Sequence, residues 1–163
     1  MRLEKAIGEL LKEKKWTLSV AESCTGGLVS HRITNVPGSS KYFGGGVVSY
    51  NNQAKAQQLS IPLKSIEKYG PVSPQISRKM AQGVRVAFRT VLGLSTTGVA
   101  GPSGGSKKTP VGLVFIGLSH GKKAIVRGEL LKGTRAQIKK EAAERGLRIL
   151  HNYLVEHGSS SRK

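Results

Sequence analysis

The feature that most constrains the fold is one short succession near the N-terminus. Thr17-Leu18-Ser19-Val20-Ala21 is β-branched and alternating, and predicts a short strand. Glu22-Ser23-Cys24-Thr25-Gly26-Gly27 follows, and a helical pattern then runs through Ile33. A strand that turns directly into a helix is the unit of α/β domains, and its turn is where helix N–H groups and exposed side chains converge. The segment has a plain structural account, because a Ser or Thr ahead of a helix caps it. A single cap requires neither four polar residues nor two glycines, so Glu22–Gly27 is read as part of a functional site.

The rest of the chain repeats the alternation. Residues 2–15 carry Leu3, Ala6, Ile7, Leu10 and Leu11 at helical spacing. Gly44-Gly45-Gly46 reads as a flexible lead into a buried-type strand, Val47–Tyr50, and Asn51 or Asn52 is placed to cap a helix ending at Leu59. Residues 61–73 read as a connection with a helical turn near Leu63–Lys68. Ser73-Pro74 opens a helix to Phe88, with proline at its first position. Val91–Thr97 predicts a strand and Gly98–Pro110 a glycine-rich loop. Val111–Ser119 and Ala124–Leu131 form a hairpin about His120–Lys123, and a last helix spans Thr134–Val155. The expectation is a single three-layer α/β/α domain over residues 1–157, a mixed sheet flanked by helices. A small polar tail, 158–163, is expected to be disordered.

Composition narrows the function classes. Twenty-seven Lys and Arg face nine acids, a net charge of +18, and every acid is Glu. The basic residues are scattered along the chain and form no block or aromatic-interleaved stripe, so a solvated basic surface is preferred to a nucleic-acid face. No apolar run reaches membrane-spanning length, and residues 1–15 lack a signal peptide's apolar stretch. With one cysteine, Cys24, there is no internal disulfide framework; these features together favour the cytoplasm. One Cys, no Asp and four scattered histidines give no metal-ligand spacing.

The remaining candidates for chemistry are hydroxyls, lysines and an arginine. Ser23, Cys24 and Thr25 stand at the first turn, and Thr97-Gly98-Val99-Ala100-Gly101 forms a second glycine-rich strand exit. Two such loops in a small domain point to one shared ligand. Gly133-Thr134-Arg135 places an Arg at the start of the last helix, where it suits an anion. Gly38-Ser39-Ser40-Lys41, Tyr50 and Lys55 complete the set. A Ser with a neighbouring neutral Lys performs acyl transfer without histidine. Spacing alone does not identify which Ser and Lys pair.

Ala21–Gly27, Pro37–Ser40, Gly46–Lys55, Gly70–Ser73, Thr97–Pro102 and Pro110–Gly112 occur in the order, and with the residues, that resemble the CinA C-terminal domain family. The resemblance covers roughly residues 5–155. It implies an amidohydrolase that converts nicotinamide mononucleotide to nicotinic acid mononucleotide and ammonia, without metal or cofactor and usually as a homodimer. By the same resemblance Ser40 is the nucleophile and Lys55 its base, with Tyr50 and Ser23 in the same site. Glu22, Thr25, Gly26, Thr97, Gly98, Ala100 and Gly101 line the ligand, and Arg135 holds the phosphate. Where many relatives carry Gly-Asp-Arg, this chain has Gly133-Thr134-Arg135. That change keeps a non-catalytic nucleotide-binding role as the alternative.

Overall fold

A computed structural model of the chain describes residues 2–158. Residues 159–163 of the expected polar tail lie outside the described residues. Five strands form one sheet: β1 (Leu18–Glu22), β2 (Phe43–Val48), β3 (Leu92–Gly98), β4 (Leu113–His120) and β5 (Lys123–Leu130). Six helices accompany them: α1 (Arg2–Lys14), α2 (Leu28–Thr34), α3 (Asn52–Leu59), α4 (Leu63–Tyr69), α5 (Pro74–Phe88) and α6 (Arg135–Glu156). The sheet order is β2-β1-β3-β4-β5, with β2, β1 and β3 parallel and β4 and β5 antiparallel to their neighbours.

Helices cover both faces, as the sequence predicts. α1, α2 and α6 bury Ile7, Leu11, Val29, Ile33, Leu147, Leu150 and Leu154 against Val20, Leu94 and Ile116 of the sheet. On the other side α3, α4 and α5 bury Leu59, Ile66, Ile76, Met80 and Val84 with Ala21. Two glycines let α5 approach the sheet closely. A Cβ at Gly93 would lie 2.1 Å from the Ala81 carbonyl oxygen, and one at Gly117 would lie 2.7 Å from that of Ser77. α1, α2 and α6 are also tied by Arg32, which pairs with both Glu4 and Glu144.

Gly44-Gly45-Gly46 is strand rather than flexible lead. Each glycine faces a neighbour that leaves no room for a side chain: Thr90 at Gly44, the Phe88 ring at Gly45 and the Ser30 hydroxyl at Gly46. The glycines are there for close packing, which a single sequence does not distinguish from flexibility.

The topology fixes where a site belongs. From β1 the chain crosses by α2 to β2 on one side, then returns by α3, α4 and α5 to β3 on the other. β1 and β3 are therefore neighbours whose connections leave in opposite directions. The carboxyl ends of such strands open a crevice that binds ligands in α/β sheets.

Candidate active site

Both glycine-rich exits open into that crevice. β1 ends at Glu22 and β3 at Gly98, and the Ser23 amide donates to the Thr96 carbonyl, stitching the two exits together. β2 ends at Val48, and the Ser49 amide donates to the Glu22 carbonyl, so Ser49 and Tyr50 arrive at the same edge. Asn51 then caps α3 by accepting from the Ala54 amide, which aims the first turn of α3 and Lys55 back at the β1 exit.

The result is a pocket of about 280 Å³ whose walls include Ser23, Cys24, Tyr50, Lys55, Thr97 and Arg135, with the Gly98–Gly101 loop. A somewhat larger hollow beside α5 contains Ser60 and Lys79, but no hydrogen bond joins them. Chemistry therefore selects the smaller pocket.

Lys55 is the unusual group in it. Its side chain is 2% exposed, and its ammonium donates to the Ser23 Oγ at 3.1 Å and to the Ser49 carbonyl at 3.0 Å. Burial pulls its pKa from 10.5 down to about 8, because the charged form loses its hydration. A small fraction is neutral at physiological pH, as a general base requires. Ser23 is itself buried, so a hydroxyl and an amine of opposite proton roles share one dry contact.

Glu22 does not face the ligand. It is fully buried, and its two oxygens accept from the Thr25 hydroxyl at 2.6 Å, the Gly27, Val29 and Ser30 amides at 2.8 to 3.1 Å, and the Ser30 hydroxyl at 2.8 Å. Its carboxylate thus meets the free N–H groups at the start of α2 and fixes the turn that carries Ser23. Thr25 is buried with it and bonds the Thr96 hydroxyl at 2.7 Å. Gly26 donates its amide to the Ser23 carbonyl. Glu22 and Thr25 were expected to touch ligand; their side chains instead build the support beneath Ser23.

Ser40 is not in the site. It lies in a single 3-10 turn, Ser39–Lys41, ahead of the first residue of β2, and its side chain is exposed. Lys55 follows the last residue of β2. The six-residue strand between them spans roughly 20 Å at ~3.3 Å per residue. β2 pairs Phe43 with Leu18 and Val48 with Glu22, so Ser23 stands at the Lys55 end and Ser40 at the opposite end. The expected Ser40–Lys55 pair is corrected on that ground, and Ser23 is the hydroxyl that Lys55 meets. The hydroxyl and the lysine were both singled out in the sequence; only the register of β2 says which pair.

Cys24 is 4% exposed, and burial, with the Glu22 charge adding to it, pushes its thiol up to about 12. It is a thiol at neutral pH and packs with the apolar core. Tyr50 is half exposed at the pocket mouth, and Arg135 donates to its hydroxyl at 2.6 Å and to the Gly101 carbonyl at 2.7 Å. Arg135 thereby joins the β2 exit to the β3 loop. Thr97 is buried and donates to the Pro71 carbonyl at 2.8 Å, holding the segment before α5 against the pocket. Thr134 caps α6 and forms a capping box with Gln137.

Among the described residues no three His, Cys or Glu gather to hold a metal, and no helix is long and apolar enough to cross a membrane.

Known proteins share this architecture. A CinA-superfamily protein of Klebsiella pneumoniae superposes with a TM-score of 0.91 at 22% identity, over 95% of this chain and 97% of that one, a likeness of fold. The competence/damage inducible protein CihA of Agrobacterium tumefaciens gives 0.86 at 30% identity, over 93% and 94%. A CinA-like protein of Dictyoglomus thermophilum is 50% identical over 143 residues, 84% of this chain and 33% of its own length. A Moorella thermoacetica protein named for competence-damage induction is 47% identical over 148 residues, 91% of this chain and 36% of its own. The chain thus spans about a third of the length of the curated relatives it matches. Residues 1–154 match the CinA C-terminal domain, and the chain belongs to that family.

Proposed function

We propose that this domain hydrolyses the amide of nicotinamide mononucleotide, giving nicotinic acid mononucleotide and ammonia, with Ser23 as nucleophile and Lys55 as its base. The observation that carries the reading is the 3.1 Å hydrogen bond between the buried Lys55 amine and the Ser23 hydroxyl, at the carboxyl edge of the sheet. The substrate itself comes from the family resemblance.

The chemistry follows from that pair. Neutral Lys55 takes the Ser23 proton as Oγ attacks the amide carbon. The carbonyl oxygen becomes an oxyanion, and the donors we assign to it are backbone N–H groups of the turn that follows Ser23. Protonated Lys55 then passes its proton to the departing nitrogen. The C–N bond breaks, ammonia leaves and an ester to Ser23 remains. Water attacks that ester with Lys55 again as base, releasing the carboxylate and restoring the hydroxyl.

Ammonia release from nicotinamide mononucleotide by the purified chain tests the reading, beside a panel of other pyridine nucleotides and simple amides. Release matched by carboxylate product supports it. Absence of release from every amide in the panel removes the enzyme assignment.

A further inference from the structure

Ser23 is the middle one of three hydroxyls in a row. β1 pairs Ala21 with Val47 of β2 and with Ser95 of β3. Two residues further along these parallel strands come Ser23, Ser49 and Thr97. The ladder reaches that level, because the Ser23 amide donates to the Thr96 carbonyl and the Ser49 amide to the Glu22 carbonyl. Alternation keeps all three side chains on the face that α3 and α5 cover, where Ala21 and Val47 pack and Ser95 meets Ser77. Neighbours in the row stand about 4.8 Å apart, the spacing of adjacent strands.

Two of these hydroxyls are engaged. Ser23 Oγ accepts from Lys55, and Thr97 donates to the Pro71 carbonyl. The Ser49 hydroxyl is fully buried and makes no hydrogen bond among the described residues. Such a group costs free energy in the folded chain, so its retention calls for a task. The carbonyl of the same residue is already the second acceptor of Lys55, at 3.0 Å. A lysine ammonium has three N–H donors, and the third finds no acceptor among the described residues. A spare donor and a spare acceptor therefore sit on two residues that already touch.

We infer that the Ser49 hydroxyl is a positioning group for protonated Lys55, turning about its Cα–Cβ bond to take the third N–H of the ammonium. The inference rests on the Ser23–Lys55 reading. As Ser23 Oγ bonds to the amide carbon, its proton moves to Lys55 Nζ. The oxygen is then committed to the new C–O bond and is a poorer acceptor. Without Ser49 Oγ the ammonium would hang on one carbonyl; with it the amine stays in place until the proton passes to the departing nitrogen. Ser49 is not part of the pocket wall, so it acts through Lys55 and not on the ligand. Cys24, Tyr50 and Arg135 are the ionisable groups that share the pocket with Lys55, and none of them bonds it. The Cys24 thiol, pushed up to about 12, is neutral, and Arg135 is turned to Tyr50 and Gly101.

The test is an NMR titration of the Lys55 side chain in the folded chain without ligand, for the wild type, Ser49→Ala and Ser49→Thr. Loss of an acceptor for the charged form should lower the Lys55 midpoint in Ser49→Ala by about 0.5 to 1 pH unit. Ser49→Thr keeps the hydroxyl and should restore it. In turnover, kcat of Ser49→Ala should fall about tenfold while KM stays within about twofold, because no ligand contact is removed. A hydroxyl that only fills space would move neither reading. An unchanged midpoint in Ser49→Ala, or a shift that Ser49→Thr fails to restore, overturns the inference. Ammonia release is scored separately. A Lys55 midpoint that depends on the Ser49 hydroxyl in a chain that releases no ammonia supports the contact and removes the deamidase. Turnover with a midpoint indifferent to Ser49 does the reverse.

Discussion

Lys55 Nζ donates to Ser23 Oγ at 3.1 Å, 32 positions away along the chain. The contact exists because two parallel strands end together. β1 delivers Ser23 one residue past Glu22, and β2 delivers Ser49, whose carbonyl accepts the second Lys55 hydrogen bond. The proposed reaction needs nothing more exotic than this: a hydroxyl on a rigid turn, and an amine whose burial lowers the cost of losing its proton.

Activity should follow the Lys55 proton. The amine accepts the Ser23 proton only when neutral, and its pKa lies at about 8. kcat/KM for deamidation should therefore rise with pH through that value and level off above it. A profile that is flat between about pH 6 and 9 would contradict Lys55 as the base.

Lys55 should also carry a stability cost. Its folded pKa lies below the 10.5 usual for a lysine, so the unfolded chain binds more protons between the two, and stability should climb with pH from about 8 to 10.5. Below that window both states are protonated, and burial of the ammonium costs roughly 3 kcal/mol at 1.36 per unit. Lys55→Met removes the charge and leaves the Ser49 carbonyl without that donor, a loss of about 1 kcal/mol. The variant should be inactive yet melt at the wild-type temperature or above it at neutral pH. A drop in Tm of several degrees would show that Lys55 is chiefly structural.

Glu22 should matter for the fold and for the reaction together. Its oxygens meet five donors and no solvent. Glu22→Gln turns an acceptor into a donor facing donors, and should cost about 2–4 kcal/mol in chemical denaturation. The Ser23 turn loosens with it, so kcat should fall in the fraction that remains folded. Wild-type stability in this variant would mean that the carboxylate is not the anchor of the turn.

The glycine contacts give a prediction independent of the site. Gly93→Ala would drive a methyl into the Ala81 carbonyl of α5, a backbone atom that cannot step aside alone. The expected loss is about 1–3 kcal/mol by urea titration, the range for overpacking. An unchanged midpoint would mean that α5 shifts freely on the sheet.

Much of this architecture was legible in the residues. The Ser73-Pro74 start and the Phe88 end of α5, the Asn51 cap of α3 and the β4–β5 hairpin follow from local signals that tertiary packing did not override. The Glu22–Gly27 segment announced the site, because so much polarity and glycine at a strand exit exceeds what a cap needs. Its inner division was hidden. Ser23 faces Lys55 while Glu22 and Thr25 point into the support, and that alternation depends on the path of the turn. Ser40 as nucleophile came from the resemblance alone, and the six residues of β2 put it at the other end of the sheet from Lys55.

The central claim is that Ser23, and not Ser40, is the nucleophile. The most direct measurement is kcat/KM for ammonia release from nicotinamide mononucleotide by Ser23→Ala and Ser40→Ala, each verified as folded by its thermal midpoint. Ser23→Ala should lose about three orders of magnitude or more, as nucleophile removal does, and Ser40→Ala should stay within about twofold of wild type. Full activity in Ser23→Ala, or collapse in Ser40→Ala alone, would contradict the assignment.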